Sequence, residues 1–403
     1  MTTYASSTST DGPAPLGATV GVPRQTALVC LTLTLAAVQF SIAISQIFLT
    51  LALLAWGATL VAEHRRPSAP PWMLSLLLFA GWTLVSAVFS TDRAVSLVDT
   101  KQLVLFLLVP LTYEVVDERS AVPMTTIVLA AGAASALVGI VQYSVLHYDN
   151  LDLRPRSTLG LSLTFSGLMM LVLNLAIARV LFMTRSRIWP ALVTPALAVV
   201  LALTLGRSAW VGWFCAVAVL LMMRDFRMTA LLPIIAALFF ATAAPRVVQR
   251  FYSIFDRHDP SNADRIAMMH AGVQIVRDHP IAGVGPNMIE HVYPKYRDAD
   301  AIMQTPPHLH NVPLQIAAER GLPALGLWIW FIATVVTGAW SLFRNAPKEG
   351  PMRFLSAAAI ATVVSMLGAG MFEHNFGDSE FLMLFLVLIT LPFAVARRTH
   401  AHG

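Results

Sequence analysis

LSLTFSGLMMLVLNLAIARVLF, Leu161 to Phe182, decides the class of this chain. It is an apolar run of about twenty residues, the length a helix needs to cross the hydrocarbon of a bilayer. Similar runs rich in Leu, Val, Ala, Ile and Phe recur along the 403 residues. Hydrophobic residues make up 57% of the chain and charged residues 12%, and the mean hydropathy of +0.68 lies outside the range of a soluble domain. The alternating ten-residue pattern of an outer-membrane barrel is missing, so the runs read as spanning helices.

Working outward, Ala27 to Val61 is long enough for two helices with a break near Ser41 to Gln46. Further spans run from Pro71 to Ser90, Leu103 to Val116, Pro123 to Leu146, Leu161 to Phe182, Trp189 to Leu205, Ala209 to Met223 and Met228 to Ala243. After a long loop come Ala324 to Phe343, Phe354 to Phe372 and Phe381 to Ala396. The reading is an all-α polytopic membrane protein of about twelve transmembrane helices. Residues 1–24 form a disordered cytoplasmic tail, 25–244 helices 1–9, 245–322 a large helical periplasmic loop, 323–397 helices 10–12, and 398–403 a second tail. Cys30 and Cys215 both sit in apolar runs and read as small core residues.

Basic residues set the orientation. Arg24, Arg65 and Arg66, Arg119, Arg185 and Arg187, Arg224 and Arg227, Arg344, Lys348 and Arg353, and Arg397 and Arg398 fall in the tail and alternate short loops, which places them inside. Both termini are then cytoplasmic and the loop from Pro245 to Leu322 faces out. The net charge of +5 reports this asymmetry rather than nucleic-acid binding. Six of the 11 histidines, His258, His270, His279, His291, His308 and His310, lie in that loop, which marks it as the functional candidate.

Two helices are expected there. Asn262 to Asp278 would cap at Asn262, bury Ile266, Met269, Val273 and Val276, and stop at His279-Pro280. IAGVGPN, which follows, reads as a glycine turn and not a phosphate loop, because no strand precedes it and no lysine follows. In TPPHLHNVPLQIAAERGLP, Thr305 to Pro323, the prolines open a helix, and Gly321 with Pro323 closes it. His308, Asn311, Gln315 and Glu319 then share a polar face. In its first turn, the helix dipole would keep His310 neutral.

Arg207, in LTLGRSAWVGW, stands where one apolar span meets the next, a costly place for an arginine without a partner or a cavity. Arg207 and Arg265 together would suit a pyrophosphate, which accepts forked hydrogen bonds. FEHNFGDSE adds Glu373, His374 and Asp378 beside the last span, and Arg154 and Arg156 on an earlier outer loop are candidate substrate contacts. Asp298 and Asp300 make a weak DxD, and no metal is expected on it.

Four patches together, GIVQY with RPRSTLG, LGRSAW, Arg265 through HPIAGVGPN, and HLHNVPLQIAAERGLPALG, resemble the O-antigen ligase and polymerase superfamily over Val138 to Gly326. The resemblance implies a bacterial inner-membrane glycosyltransferase of GT-C type. Arg207, Arg265 and His310 would be its functional residues, with Asp378 less securely matched and His308, Asn311, Glu373, Arg154 and Arg156 in support. It further implies transfer of O-antigen from undecaprenyl pyrophosphate to the lipid A core, with inversion, membrane lipids around it and no cofactor or metal. His310 would be the general base. A polymerase or a protein O-oligosaccharyltransferase shares that donor chemistry. A flippase fits the span count but not the missing inverted repeat.

Overall fold

The computed structural model describes residues 17–242, 245–256, 259–298 and 301–399, and no strand occurs among them. The residues expected to form a tail at 1–16, those at 400–403, Ala243, His258 and Asp300 lie outside the described residues. The α-helices are α1 (Gly17–Ala37), α2 (Ile42–Ala62), α3 (Met73–Val88), α4 (Arg93–Asp99), α5 (Leu108–Val115), α6 (Glu118–Ser144), α7 (Ser162–Phe182) and α8 (Ile188–Leu203). They continue with α9 (Arg207–Arg224), α10 (Leu232–Thr242), α11 (Pro245–Tyr252), α12 (Pro260–Asp278), α13 (Ile289–Val292), α14 (Val312–Asn345), α15 (Pro351–Gly370) and α16 (Ser379–Thr399).

Eight described helices are long and apolar enough to cross a membrane: Ile42–Ala62, Arg93–Val115, Glu118–Ser144, Ser162–Phe182, Arg207–Arg224, Val312–Asn345, Pro351–Gly370 and Ser379–Arg397. Shorter apolar helices at Met73–Val88, Ile188–Leu203 and Phe226–Leu238, together with α1, stand where the other four expected spans lie. By length and composition alone, eight of the about twelve expected spans are met among the described residues. Helix α1 begins at Gly17, inside the stretch read as tail. The span expected from Leu103 starts earlier, at Arg93, and passes through a 3₁₀ stretch, Thr100–Leu107, before α5.

Helices α7, α15 and α16 form the centre of the bundle. Phe165 and Leu168 through Leu173 of α7, and Phe381 through Ile389 of α16, are buried. Helix α15 presents Ala357, Ala358, Ala359 and Ala361, and such small side chains let neighbouring backbones approach closely. The crossing with α9 is tight: a Cβ on Gly212 would stand 2.5 Å from the Ser365 carbonyl oxygen. Large apolar side chains such as Leu54, Leu74 and Leu192 remain exposed on the outer helices, as lipid contact requires.

At one end of α5 a single carboxylate gathers three parts of the chain. Glu114 is buried and accepts from the Trp56 indole at 2.8 Å and from the Ser68 hydroxyl at 2.9 Å, with Arg65 at 3.0 Å. Arg397 of α16 donates to Ser68 at 2.7 Å, and Arg24 of α1 donates to the Glu114 and Val115 carbonyls. The charge is thus met by hydrogen bonds on every side, as a buried carboxylate needs.

At the opposite end α14 is broken. Gly321 has φ 80 and ψ 170, so the helix is interrupted there and resumes, where the sequence reading had it end. The interruption strips carbonyls of their helical partners. The turn at 281–287 supplies replacements: Val284 N–H donates to the Ala318 carbonyl at 3.0 Å, Gly285 N–H to that of Glu319 at 2.9 Å, and Leu322 N–H returns to Pro280 at 2.8 Å. Ser86 and Trp82 of α3 close the set through the carbonyls of Glu319 and Arg320 at 3.0 and 2.9 Å. The glycine turn is thus bound to a helix break, and the amides a phosphate would need are already engaged.

A Cβ on Gly321 would meet the Ile281 carbonyl oxygen at 1.9 Å, whereas Gly57 on α2 has nothing within 4 Å. Gly321→Ala combines a left-handed backbone, costing roughly 1–2 kcal/mol for an L-residue, with that overlap. Thermal unfolding in detergent should drop by several degrees in Gly321→Ala and stay unchanged in Gly57→Ala; equal melting of the two variants would refute this account of the break.

Candidate functional site

The helix expected from His308 starts at Val312. Asn311 caps it, its side-chain oxygen accepting from Leu314 N–H at 2.9 Å, and Pro313 occupies the first turn, where a missing N–H costs nothing. His308 to His310 therefore form a loop before the helix, and His310 itself has φ 50. The first-turn dipole argument for His310 does not hold. Asn311 also donates to the Met371 carbonyl at 3.1 Å, and Leu309 N–H donates to the Gln315 side chain at 2.7 Å. The histidine loop is fixed from both sides.

Helix α12 is capped by Asp259, whose carboxylate accepts from Asn262 N–H at 3.3 Å, and not by Asn262 itself. It ends at Asp278, with His279 as cap, as expected. Its buried face is Ala267, Met268, Ala271, Gly272 and Ile275, whereas Ile266, Met269 and Val273 of the expected core face are exposed. Close packing decides this. A Cβ on Gly272 would lie 2.7 Å from Leu314 and 2.8 Å from Leu309, so the small-residue face alone fits against α14.

Ile266 and Met269 instead line a cavity of about 260 Å³, with Val211, Ile254, Leu309 and Phe372 as further apolar walls. A second cavity, also of about 260 Å³, is polar and is lined by Arg154, Arg207, Arg250, Arg265, Asp264 and His310. Arg207, Ser208, Arg265 and His310 line both. One chamber is suited to an apolar chain and the other to an anion, with the histidine on their shared wall.

Arg207, at the start of α9, is 6% exposed. Its guanidinium donates to the Ser253 carbonyl and hydroxyl at 3.0 Å each, to Ser261 at 3.1 Å and to Asp259 at 3.3 Å. Arg250 takes the other oxygen of Asp259 at 3.3 Å. Much of the Arg207 fork thus fastens the link between α11 and α12. Arg265 lies 3.9 Å from Glu373. Burial lowers the pKa of Arg154 and of Arg250, the charge of nearby Glu373 opposing this at Arg154 and that of Asp259 at Arg250. Sequence reasoning missed Arg250. Its signal lay in PRVVQRFY, whose valines and aromatic residues fall at helical spacing.

Glu373, 7% exposed, organises the histidines. Its Oε1 lies 2.8 Å from His310 Nδ1 and 3.2 Å from His308 Nε2, and accepts from His374 N–H at 3.0 Å. Burial alone would raise its pKa, but the hydrogen bonds from His308 and His310 hold it well below the usual carboxylate range. An ionised carboxylate has no proton to give, so the hydrogen in this bond is carried by Nδ1 of His310; in the neutral ring Nε2 is then the acceptor. His374 packs 5.6 Å from His308, ring to ring, and burial pushes its pKa down to about 3, so it stays neutral. The donor atoms of His308, His310 and Glu373 all lie within 4.8 Å of one another. His270 pairs with Asp298 at 3.1 Å, away from this group.

The structure brings together His310, His308, Glu373, Arg265, Arg207 and Arg154. Asn311 supports them as a cap. Asp378 does not line either cavity: it accepts from Thr164 at 3.1 Å, and burial with the neighbouring Glu373 charge pushes its pKa up to about 7. Arg156 turns away onto Tyr148, 5.6 Å from its ring, and the Gly160 carbonyl. Glu319 accepts from Asn287 N–H at 2.9 Å beside the helix break and takes no part in the cavities.

No curated protein matches the chain. Residues 192–329 match the family model described as Wzy_C, O-Antigen ligase. That match covers about a third of the chain, runs from α8 to the middle of α14 and takes in Arg207, Arg265 and His310, so this segment is similar to the O-antigen ligase family.

Proposed function

We propose that this chain is an O-antigen ligase, transferring the polysaccharide from undecaprenyl pyrophosphate to a sugar hydroxyl of the lipid A core on the periplasmic side of the inner membrane. In this reading α1 and the three shorter apolar helices also cross, completing about twelve spans of a GT-C type architecture. The observation that carries it is the placement of His310: its Nδ1 is held by Glu373 at 2.8 Å, and its ring lines both the arginine-walled and the apolar cavity.

The donor already has a good leaving group, so the protein has two tasks: to neutralise the departing pyrophosphate and to orient the acceptor. Arg265 and Arg154 present guanidinium groups to the polar cavity, and Arg207 shares its fork between that cavity and the α11–α12 link. The isoprenoid end of the donor occupies the chamber of Ile266, Met269 and Phe372. His310 Nε2 takes the acceptor proton as the hydroxyl oxygen attacks the anomeric carbon, and a direct displacement inverts it. Glu373 steadies the imidazolium that results.

Lipopolysaccharide from a deletion strain tests the reading. Unmodified core with accumulating lipid-linked polymer is expected, whereas core bearing single repeats would make the protein a polymerase. In the same strain His310→Ala should lose transfer by about a hundred- to ten-thousand-fold. Glu373→Gln should lose at least about tenfold, and His308→Ala should retain measurable product. Near-normal ligation by both histidine variants and their double variant would remove base catalysis by histidine.

Arg265→Lys is expected to weaken donor binding, because lysine keeps the charge and loses the fork. Arg207→Lys should also impair transfer. If it lowers thermal stability and leaves donor affinity intact, its role is to hold the α11–α12 link. Full transfer by Arg265→Lys would dismiss forked phosphate contact.

The chemistry above requires no metal. Transfer by purified protein should persist in excess EDTA, and rescue by magnesium of an EDTA-inactivated sample would overturn that expectation.

A further inference from the structure

We propose that His308, His310 and Glu373 form a binding site for one zinc ion, and that zinc bound there blocks transfer. The second half rests on His310 acting as base, as proposed above.

The geometry is close to what zinc uses. Two imidazole nitrogens lie 3.2 and 2.8 Å from one carboxylate oxygen. Tetrahedral bonds of about 2.0–2.1 Å separate neighbouring donors by roughly 3.3–3.5 Å, so each imidazole–carboxylate pair needs a shift of only a few tenths of an ångström, and rotation of the two partly exposed rings sets the distance between them. The three residues offer their donor atoms within 4.8 Å of one another. The other carboxylate oxygen, Glu373 Oε2, is buried and has no hydrogen-bond partner among the described residues, with the Arg265 guanidinium 3.9 Å away. That distance is too long for a hydrogen bond, so the buried oxygen is incompletely satisfied. His308 and His310 are partly exposed, at 27% and 17% of their side chains, so an ion in solution reaches both, and three protein donors leave the fourth position of a tetrahedral ion for water. Two imidazoles with one carboxylate select zinc over magnesium or calcium, which prefer all-oxygen shells.

Binding rearranges hydrogens without redox chemistry. Zinc takes Nδ1 of His310 and Nε2 of His308, and the hydrogen on each moves to the other nitrogen of the same ring. Both rings stay neutral. His310 Nε2 then carries a hydrogen and no longer accepts the proton of the incoming hydroxyl. The atoms that hold His310 in its working tautomer are those that, once bound to zinc, reverse it.

The test uses the full-length protein in detergent, with zinc chloride as the probe. Metal content after desalting should show one more equivalent in wild type than in His308→Ala or in His308→Gln, whose amide still reaches Glu373 but binds zinc poorly. Saturating zinc should lower wild-type transfer by about a hundredfold or more, with EDTA restoring it and magnesium having no such effect. Equal zinc content in wild type and both His308 variants overturns the site, whatever His310 does. Zinc bound at one equivalent with transfer unchanged overturns the blocking role, and zinc-dependent activation does so as well. Full activity of His310→Ala overturns the base reading alone, and the metal-content comparison still decides the site.

Discussion

A broken helix within an apolar bundle leaves carbonyls that water does not reach, and each must find a donor or cost several kcal/mol. The interruption of α14 at Gly321 imposes this demand, and its solution determines the layout of the functional end. Val284, Gly285, Ser86 and Trp82 are drawn onto the break. That fixes the turn after α12 against both α3 and α14. Helix α12, attached to this turn, then lies along the first part of α14 with Gly272 against Leu309 and Leu314. The loop of His308 to His310, which leads into α14, lies against Glu373.

The same end concentrates charge. Arg154, Arg207, Arg250 and Arg265 line one chamber, with Asp259 divided between two of them and Glu373 engaged with the histidines. Burial makes the charges of Arg154 and Arg250 costly to hold. In the proposed reading the donor pyrophosphate offsets that cost through charge-assisted hydrogen bonds, which water exclusion strengthens.

Much of this was legible in sequence. The apolar runs announced the helices, and the resemblance of four patches pointed to Arg207, Arg265 and His310 inside the segment that matches the family. The limits were physical. Residues Ile266 and Met269 have the spacing of a buried face, but spacing cannot distinguish a face covered by protein from one facing a cavity. Two prolines before His308 mimic a helix start, while the actual start was set by the cap at Asn311 and by Pro313. Glu373 lies 63 residues from His310, and a hydrogen bond across that separation leaves no local trace. The role of Arg207 was half visible: its depth was readable, its serine and aspartate partners were not.

The centre of the bundle carries a consequence for biosynthesis. Helix α16 follows α7 by about two hundred residues, yet the two are packed side by side with α15 in the middle of the bundle, and Arg397 of α16 reaches the cluster around Glu114. Helices that leave the ribosome between them insert around a slot that only α16 fills. A ribosome that stalls before residue 379 therefore leaves the surrounding helices in the membrane without the one they pack on, a species with unburied contact faces for quality control to remove.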